Sequence, residues 1–152
     1  MSYLKHVLQP GERVITEGRL HWVIYTGAIA VAILGVILLA LSSTMQGAHG
    51  FLQILAIIAF VIAVAWAGKA WFDQWTTEIA VTNLRVIYKT GFLRRRTAEM
   101  NMDKVESVVV RQSIIGRILG YGAVHVRGTG EGLEELERIG SPVALRNAII
   151  AR

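Results

Sequence analysis

The sequence predicts a membrane α-helical hairpin followed by an α+β, mainly β domain, and three observations predict it. No Asp, Glu, Lys or Arg occurs from Leu20 to Gly68, although 18% of the chain is charged, so all 16 Lys/Arg and all 11 Asp/Glu flank that window. Two apolar runs of helical length fill the window. After Lys69 the pattern changes to short, β-prone segments separated by turn residues. A hydrophobic content of 53% and a mean hydropathy of +0.47 over 152 residues fit one anchor plus one compact domain.

The first run, residues 23–41, holds 19 uncharged residues, eleven of them Val, Ile or Leu. At ~1.5 Å per residue it reaches about 28 Å, close to the ~30 Å hydrocarbon core of a bilayer. Those eleven side chains favour insertion by roughly 3–7 kcal/mol. Residues 51–68 form a second such run, and the small, polar segment 42–50 between them suits a hairpin turn. That segment carries no Lys or Arg. Lys5, Arg13 and Arg19 precede the first run, and Lys69, Arg85, Lys89 and Arg94–Arg96 follow the second. The positive-inside rule therefore predicts a multi-pass protein of the cell (inner) membrane with both termini cytoplasmic. Trp22 and Tyr25 at one end, with Trp66, Trp71 and Trp75 at the other, supply aromatic belts on that same side. Ala56, Ala59, Ala63 and Ala67, with Gly27 and Gly35, make rows of small residues that let helices meet, within one hairpin or between subunits. The expected division is 1–19 as a cytoplasmic N-terminal segment, 20–69 as the hairpin and 70–152 as a cytoplasmic domain.

Within that domain, Thr77–Thr82 and Arg85–Lys89 read as strands joined by a turn at Asn83-Leu84. Thr90-Gly91 signals a second turn, and residues 93–100 a third strand. Residues 104–111, centred on Val108-Val109-Val110, are the most β-prone, with Val109 or Val110 expected to face the core. Ala123–Arg127 reads as a fifth strand with Val124 and Val126 on one side. Residues 133–139 are ambiguous between a strand and a helical turn. Residues 113–122 read as a Gly-punctuated apolar loop. Its Ile114, Ile115, Ile118 and Leu119 are expected chiefly to cover an open end of the sheet, the alternative being contact with the membrane beside Arg111 and Arg117. Ser141 at the N-cap and Pro142 at the first helical position open a last helix, with 145, 148 and 149 as its packing face.

A curved antiparallel sheet closed by one C-terminal helix is the outline of a pleckstrin-homology-like (PH-like) domain. The stretches Val81-Thr82-Asn83-Leu84-Arg85-Val86-Ile87-Tyr88-Lys89-Thr90-Gly91, Ile114-Ile115-Gly116-Arg117-Ile118-Leu119-Gly120-Tyr121-Gly122 and Val126-Arg127-Gly128-Thr129-Gly130 resemble the bacterial PH-like domain family of small membrane proteins. So do the lead-in Leu8-Gln9-Pro10-Gly11-Glu12 and His21-Trp22. The resemblance covers nearly the whole chain and implies a PH-like sheet with a capping helix, tethered by two transmembrane helices. It brings no set of ligand residues with it.

The residues point away from chemistry. With no cysteine, disulfides, thiolate metal sites and a cysteine nucleophile are excluded. His6, His21, His49 and His125 lack metal-ligand spacing. Residues 128–132 are Gly-rich but lack the GK[ST] ending of a phosphate cradle. Glu131, Glu134, Glu135 and Glu137 read as a solvated face. No catalytic residue, metal or cofactor is expected. The net charge of +5 suits an anionic partner, and the candidate contacts are Arg94, Arg95, Arg96, Arg111 and Arg117. On a strand, Arg94 and Arg96 would share one face. The expected function is a non-enzymatic, membrane-anchored interaction or scaffolding module. Its partners are the lipid bilayer, anionic lipid head groups, a membrane protein or further copies of itself, and not nucleic acid, for which no recognition helix exists. The runner-up is an accessory subunit or modulator of a transport assembly, weakened by the absence of charged or broken helices.

Overall fold

The computed structural model describes residues 8–90, 96–129 and 133–151. They form two compact units. Trp22–Phe72 is one, and the described residues before Trp22 join those from Asp73 onward in the other.

In the first unit a 3₁₀ turn, Trp22–Tyr25, leads into helix α1, Thr26–Thr44. A second 3₁₀ turn, Gln46–Ala48, leads into α2, His49–Thr76. The connection is thus shorter than expected, and α2 runs eight residues past Gly68. Nothing in the stretch after Gly68 breaks a helix, because it contains neither Pro nor Gly and Lys69 and Asp73 are compatible with helical backbone. Buried positions on α1 are Ala28, Gly35 and Ser42, and on α2 Ala56, Ala59, Ala63 and Ala70. Spacings of seven, and of three, four and seven, are those of a helix–helix seam. The glycines act as sockets: Phe60 packs on Gly35 and Trp66 on Gly27, at 3.2 and 3.4 Å from where a Cβ would stand. The expected packing of one hairpin helix on the other is therefore present. Its tip is tied by Ser42 and His49. The His49 Nδ1–H donates to Ser42 O at 2.8 Å, and Ser42 Oγ donates to His49 O at 3.2 Å.

The second unit holds two antiparallel sheets. The four-stranded sheet runs β1 (Val14–Gly18), β2 (Glu78–Thr82), β3 (Arg85–Thr90) and β4 (Arg96–Asn101) in spatial order. The three-stranded sheet is β5 (Val105–Arg111), β6 (Tyr121–Gly128) and β7 (Leu133–Gly140). Residues 133–140 are therefore a strand, which settles the ambiguity. Between β5 and β6 stands a short helix, α3 (Ile114–Leu119), and α4 (Pro142–Ile150) closes the chain.

The core joins Ile79, Val81 and Val86 of one sheet to Val108, Val124, Val126, Leu136 and Ile139 of the other, sealed by Leu145 and Ile149 of α4. Leu145 and Ile149 are the expected packing face. On β5 the inward residues are Val108 and Val110, while Val109 is 50% exposed. Ala80 and Ile87, paired across β2 and β3, are buried on the opposite face of their sheet. Ser141 departs from the expected cap. It sits in the left-handed region at φ 53°, its side chain caps nothing, and its N–H donates to Gly120 O at 2.9 Å. Pro142 supplies the expected first helical residue, and it is fully buried.

The N-terminal segment contributes more than a lead-in. β1 pairs with β2, and the next residues reach the other sheet: Gly140 N–H donates to Arg19 O at 3.0 Å and His21 N–H to Arg138 O at 2.8 Å. One stretch thus fastens both sheets. Glu12 anchors it. Its buried carboxylate takes a bidentate pair from Arg85, Nε to Oε1 and Nη2 to Oε2, both at 3.0 Å. Thr82 Oγ1 donates to Oε1 at 2.7 Å and Gln9 N–H to Oε2 at 2.8 Å. Glu99 takes the remaining guanidinium edge, with Nη1 at 2.6 Å from Oε2. The hydrogen bonds from Arg85 hold the Glu12 carboxyl down at about 2, and Glu12 in turn raises Arg85. Asn83 adds a strand-like clasp, accepting from Arg13 N–H on Oδ1 at 2.8 Å and donating its own N–H to Arg13 O at 3.2 Å. The two motifs Leu8–Glu12 and Val81–Arg85 are thereby explained as halves of one staple.

Candidate functional site

The sequence expects residues 113–122 to be a loop whose apolar side chains cover the sheet. The structure corrects both points. Residues 114–119 are helical, and Ile114, Ile115 and Ile118 are 82%, 62% and 78% exposed. The reason is Gly116. It is the buried residue of α3, and a Cβ there would stand 2.7 Å from Tyr121 O. At ~100° per residue, turning position 116 inward sends 114 and 118 outward.

Local chemistry holds this helix in place. Ser113 Oγ accepts from Gly116 N–H at 3.0 Å, an N-cap. Gly120, at φ 79°, gives a left-handed C-cap whose N–H returns to Gly116 O. Gln112 Nε2 donates to Tyr121 O at 3.0 Å. Gly122 lies so close to Arg111 O that a Cβ would stand 2.7 Å from it, with Pro142 at 3.1 Å. Because the nearest neighbour that cannot yield is backbone, Gly122→Ala is expected to cost about 1–3 kcal/mol, read as a lower unfolding midpoint of the full chain in detergent.

Arg111 ends β5 and Arg117 lies on α3. Both are exposed, and neither makes an ion pair among the described residues. The fold brings these two expected residues to one segment. Arg96 opens β4 in the other sheet, paired with Thr90, while Arg94 and Arg95 lie outside the described residues. Sequence reasoning named the apolar residues of α3 and misjudged their direction. The signal that carried it was the Gly at 116 inside an apolar run.

Other candidates offer little chemistry. No group of His, Asp and Glu among the described residues is arranged to hold a metal ion. His21 stacks on Tyr121 with ring centroids 5.4 Å apart. His125 is buried, with Nε2 3.3 Å from Glu135 Oε1 and no hydrogen-bond partner on that atom among the described residues. Glu135 and Glu137 are exposed, as expected of a solvated face, and residues 130–132 lie outside the described residues. A crevice lined by Val86, Tyr88, Ala98, Met100, Val126 and Leu136 has a volume of ≈ 10 Å³, room for about one water.

A family model described as the bacterial PH domain matches residues 23–149. The chain belongs to the bacterial PH domain family. The matched segment takes in both apolar helices, β2–β7 and nearly all of α4, and it leaves β1 and Glu12 outside. No curated protein and no solved structure matches the chain. Bacterial PH domain membership accounts for the two-sheet, helix-capped architecture, and PH domains in general are modules that bind proteins or lipids.

Proposed function

We propose that this bacterial PH domain protein is a non-enzymatic, membrane-anchored interaction module. In this reading α1 and α2 cross the inner membrane as a hairpin, both termini are cytoplasmic, and the sheet unit works at the cytoplasmic surface. The observation that carries it is the exposure of the helices. Their apolar windows have mean hydropathies of 2.6 and 2.4, yet only 11% and 17% of each is buried. A soluble core helix of that composition hides its side chains; here Ile33, Val36, Ile57, Val61 and Val64 are each about half exposed or more. In water such a surface is unfavourable, and in lipid it is the expected one.

Arg111 and Arg117, together with Arg94, Arg95 and Arg96, supply the basic contact with anionic head groups or an acidic partner surface. Each such residue near an anionic leaflet contributes about 1 kcal/mol. Reporter fusions test the topology. Fusions after residue 152 and before residue 1 are expected to behave as cytoplasmic, and a reporter inserted at Gly47 as external. An external C-terminus overturns the reading.

A further inference from the structure

Three features meet at α3. Its outward side chains Ile114, Ile115 and Ile118 are among the most exposed apolar residues of the sheet unit. They are displayed on a backbone tied by the Ser113 cap, the Gly120 turn and the close approaches at Gly116 and Gly122. From Arg111 through Tyr121 there is no acidic residue, while Arg111 and Arg117 stand exposed beside the apolar tip. A fold that spends a left-handed glycine and two sterically required glycines to hold isoleucines outward has built a presentation surface.

We propose that α3 is a docking wedge for an anionic bilayer surface. Ile114 and Ile118 enter the boundary between head groups and acyl chains, while Arg111 and Arg117 pair with lipid phosphates. This deepens the reading of a membrane-anchored module and rests on it. Charge selects the occupant. In a two-fold contact between copies, the patch would meet itself and oppose Arg117 to Arg117 with no acid between them. An anionic leaflet satisfies both arginines bidentately and accepts apolar side chains between its head groups. Connectivity supplies proximity. Only Arg19–His21 separate β1 from the turn that opens α1, and only Thr77 separates α2 from β2. Docking α3 would hold the sheet unit in one attitude against the leaflet and so fix which of its faces a partner can reach.

The chain lacks cysteine, so single-cysteine labelling tests this on the full protein. Ile118→Cys and, as a control near the far end of β5, Glu106→Cys each carry an environment-sensitive fluorophore. Both proteins are reconstituted in phosphatidylcholine vesicles with or without phosphatidylglycerol, some containing acyl-chain-brominated lipid as quencher. The expected result is a blue shift and bromine quenching of the label at 118 in the phosphatidylglycerol vesicles, with the label at 106 remaining water-like. Arg111→Gln and Arg117→Gln are each expected to lower the docked population about fivefold there. A label at 118 as water-like as that at 106 overturns the proposal. A blue shift without bromine quenching that grows with protein-to-lipid ratio overturns it in favour of contact between copies. A separate readout, retention of the chain in the vesicles after alkaline carbonate washing, reports the anchor itself. Release in that wash overturns the anchored module without reference to the label.

Discussion

Glu12→Ala is expected to lower the stability of the sheet unit by about 3 kcal/mol, a large effect for a residue outside the core. The substitution leaves the Arg85 guanidinium, 11% exposed, without its bidentate partner and Gln9 N–H without its acceptor, while the Thr82 hydroxyl keeps Arg85 O at 2.9 Å. Glu99 keeps one edge of Arg85 at 2.6 Å, which places the cost at the lower end of the range for a broken buried pair. Protonation should reproduce part of this loss. The Glu12 carboxyl sits at about 2 in the folded chain against an ordinary value of 4.5. A carboxyl depressed on folding contributes stability that is fully present above its unfolded pKa and fades as pH falls through its folded one. The pair's contribution, roughly 3 kcal/mol, is therefore expected to be whole above about pH 5 and mostly gone near pH 2. Hydrogen exchange of the β1 and β2 amides in detergent, from pH 6 down to pH 3, reads it. In the wild type β1 protection should fall with pH. In Glu12→Ala it should be low already at pH 6 and change less with acid. Equal protection in both proteins at pH 6 would remove the staple as the anchor of β1.

Val124→Asp is expected to cost about 3–5 kcal/mol, and Val110→Asp nearly as much, while Val109→Asp stays within about 0.5 kcal/mol of the wild type. Val124 is fully buried where both sheets meet, and Val110 faces it across the β5–β6 pair. A carboxylate at 124 is cut off from water and faces no cation among the described residues, so it is stabilised only by protonation or by opening the sheets; at 110, which is partly buried, the cost is smaller. Val109 points the other way and is half exposed. Because the apolar helices dominate far-ultraviolet signals, the measurement is limited proteolysis of the full chain in detergent. Accelerated cleavage within β5–β7 is expected for Val124→Asp and Val110→Asp only. Rapid cleavage of Val109→Asp would mean that β5 is shifted by one residue.

What the sequence determined by itself was whatever rests on composition and local periodicity. Charge exclusion from Leu20 to Gly68 needs no neighbour to be read, because the preference of an apolar run for helix belongs to the run itself. The two- and four-residue spacings that put Ile79 with Val81, Val124 with Val126, and Leu145 with Ile149 are likewise properties of single segments. Pro142 marked a helix start for the same reason. Long-range pairing was a different matter. Val14–Gly18 carries a weak strand pattern and becomes β1 only because β2 offers it a free edge and Glu12 finds Arg85, 73 positions along the chain. The ambiguity of residues 133–140 is resolved by pairing with β6, not by propensity. Direction at the candidate site was decided the same way. An apolar run punctuated by glycine reads chiefly as a core cover, and that reading failed here because burial is a relation between a side chain and what stands opposite it. Only the closeness of Gly116 to Tyr121 O and of Gly122 to Arg111 O turns α3 so that its isoleucines face away from the core.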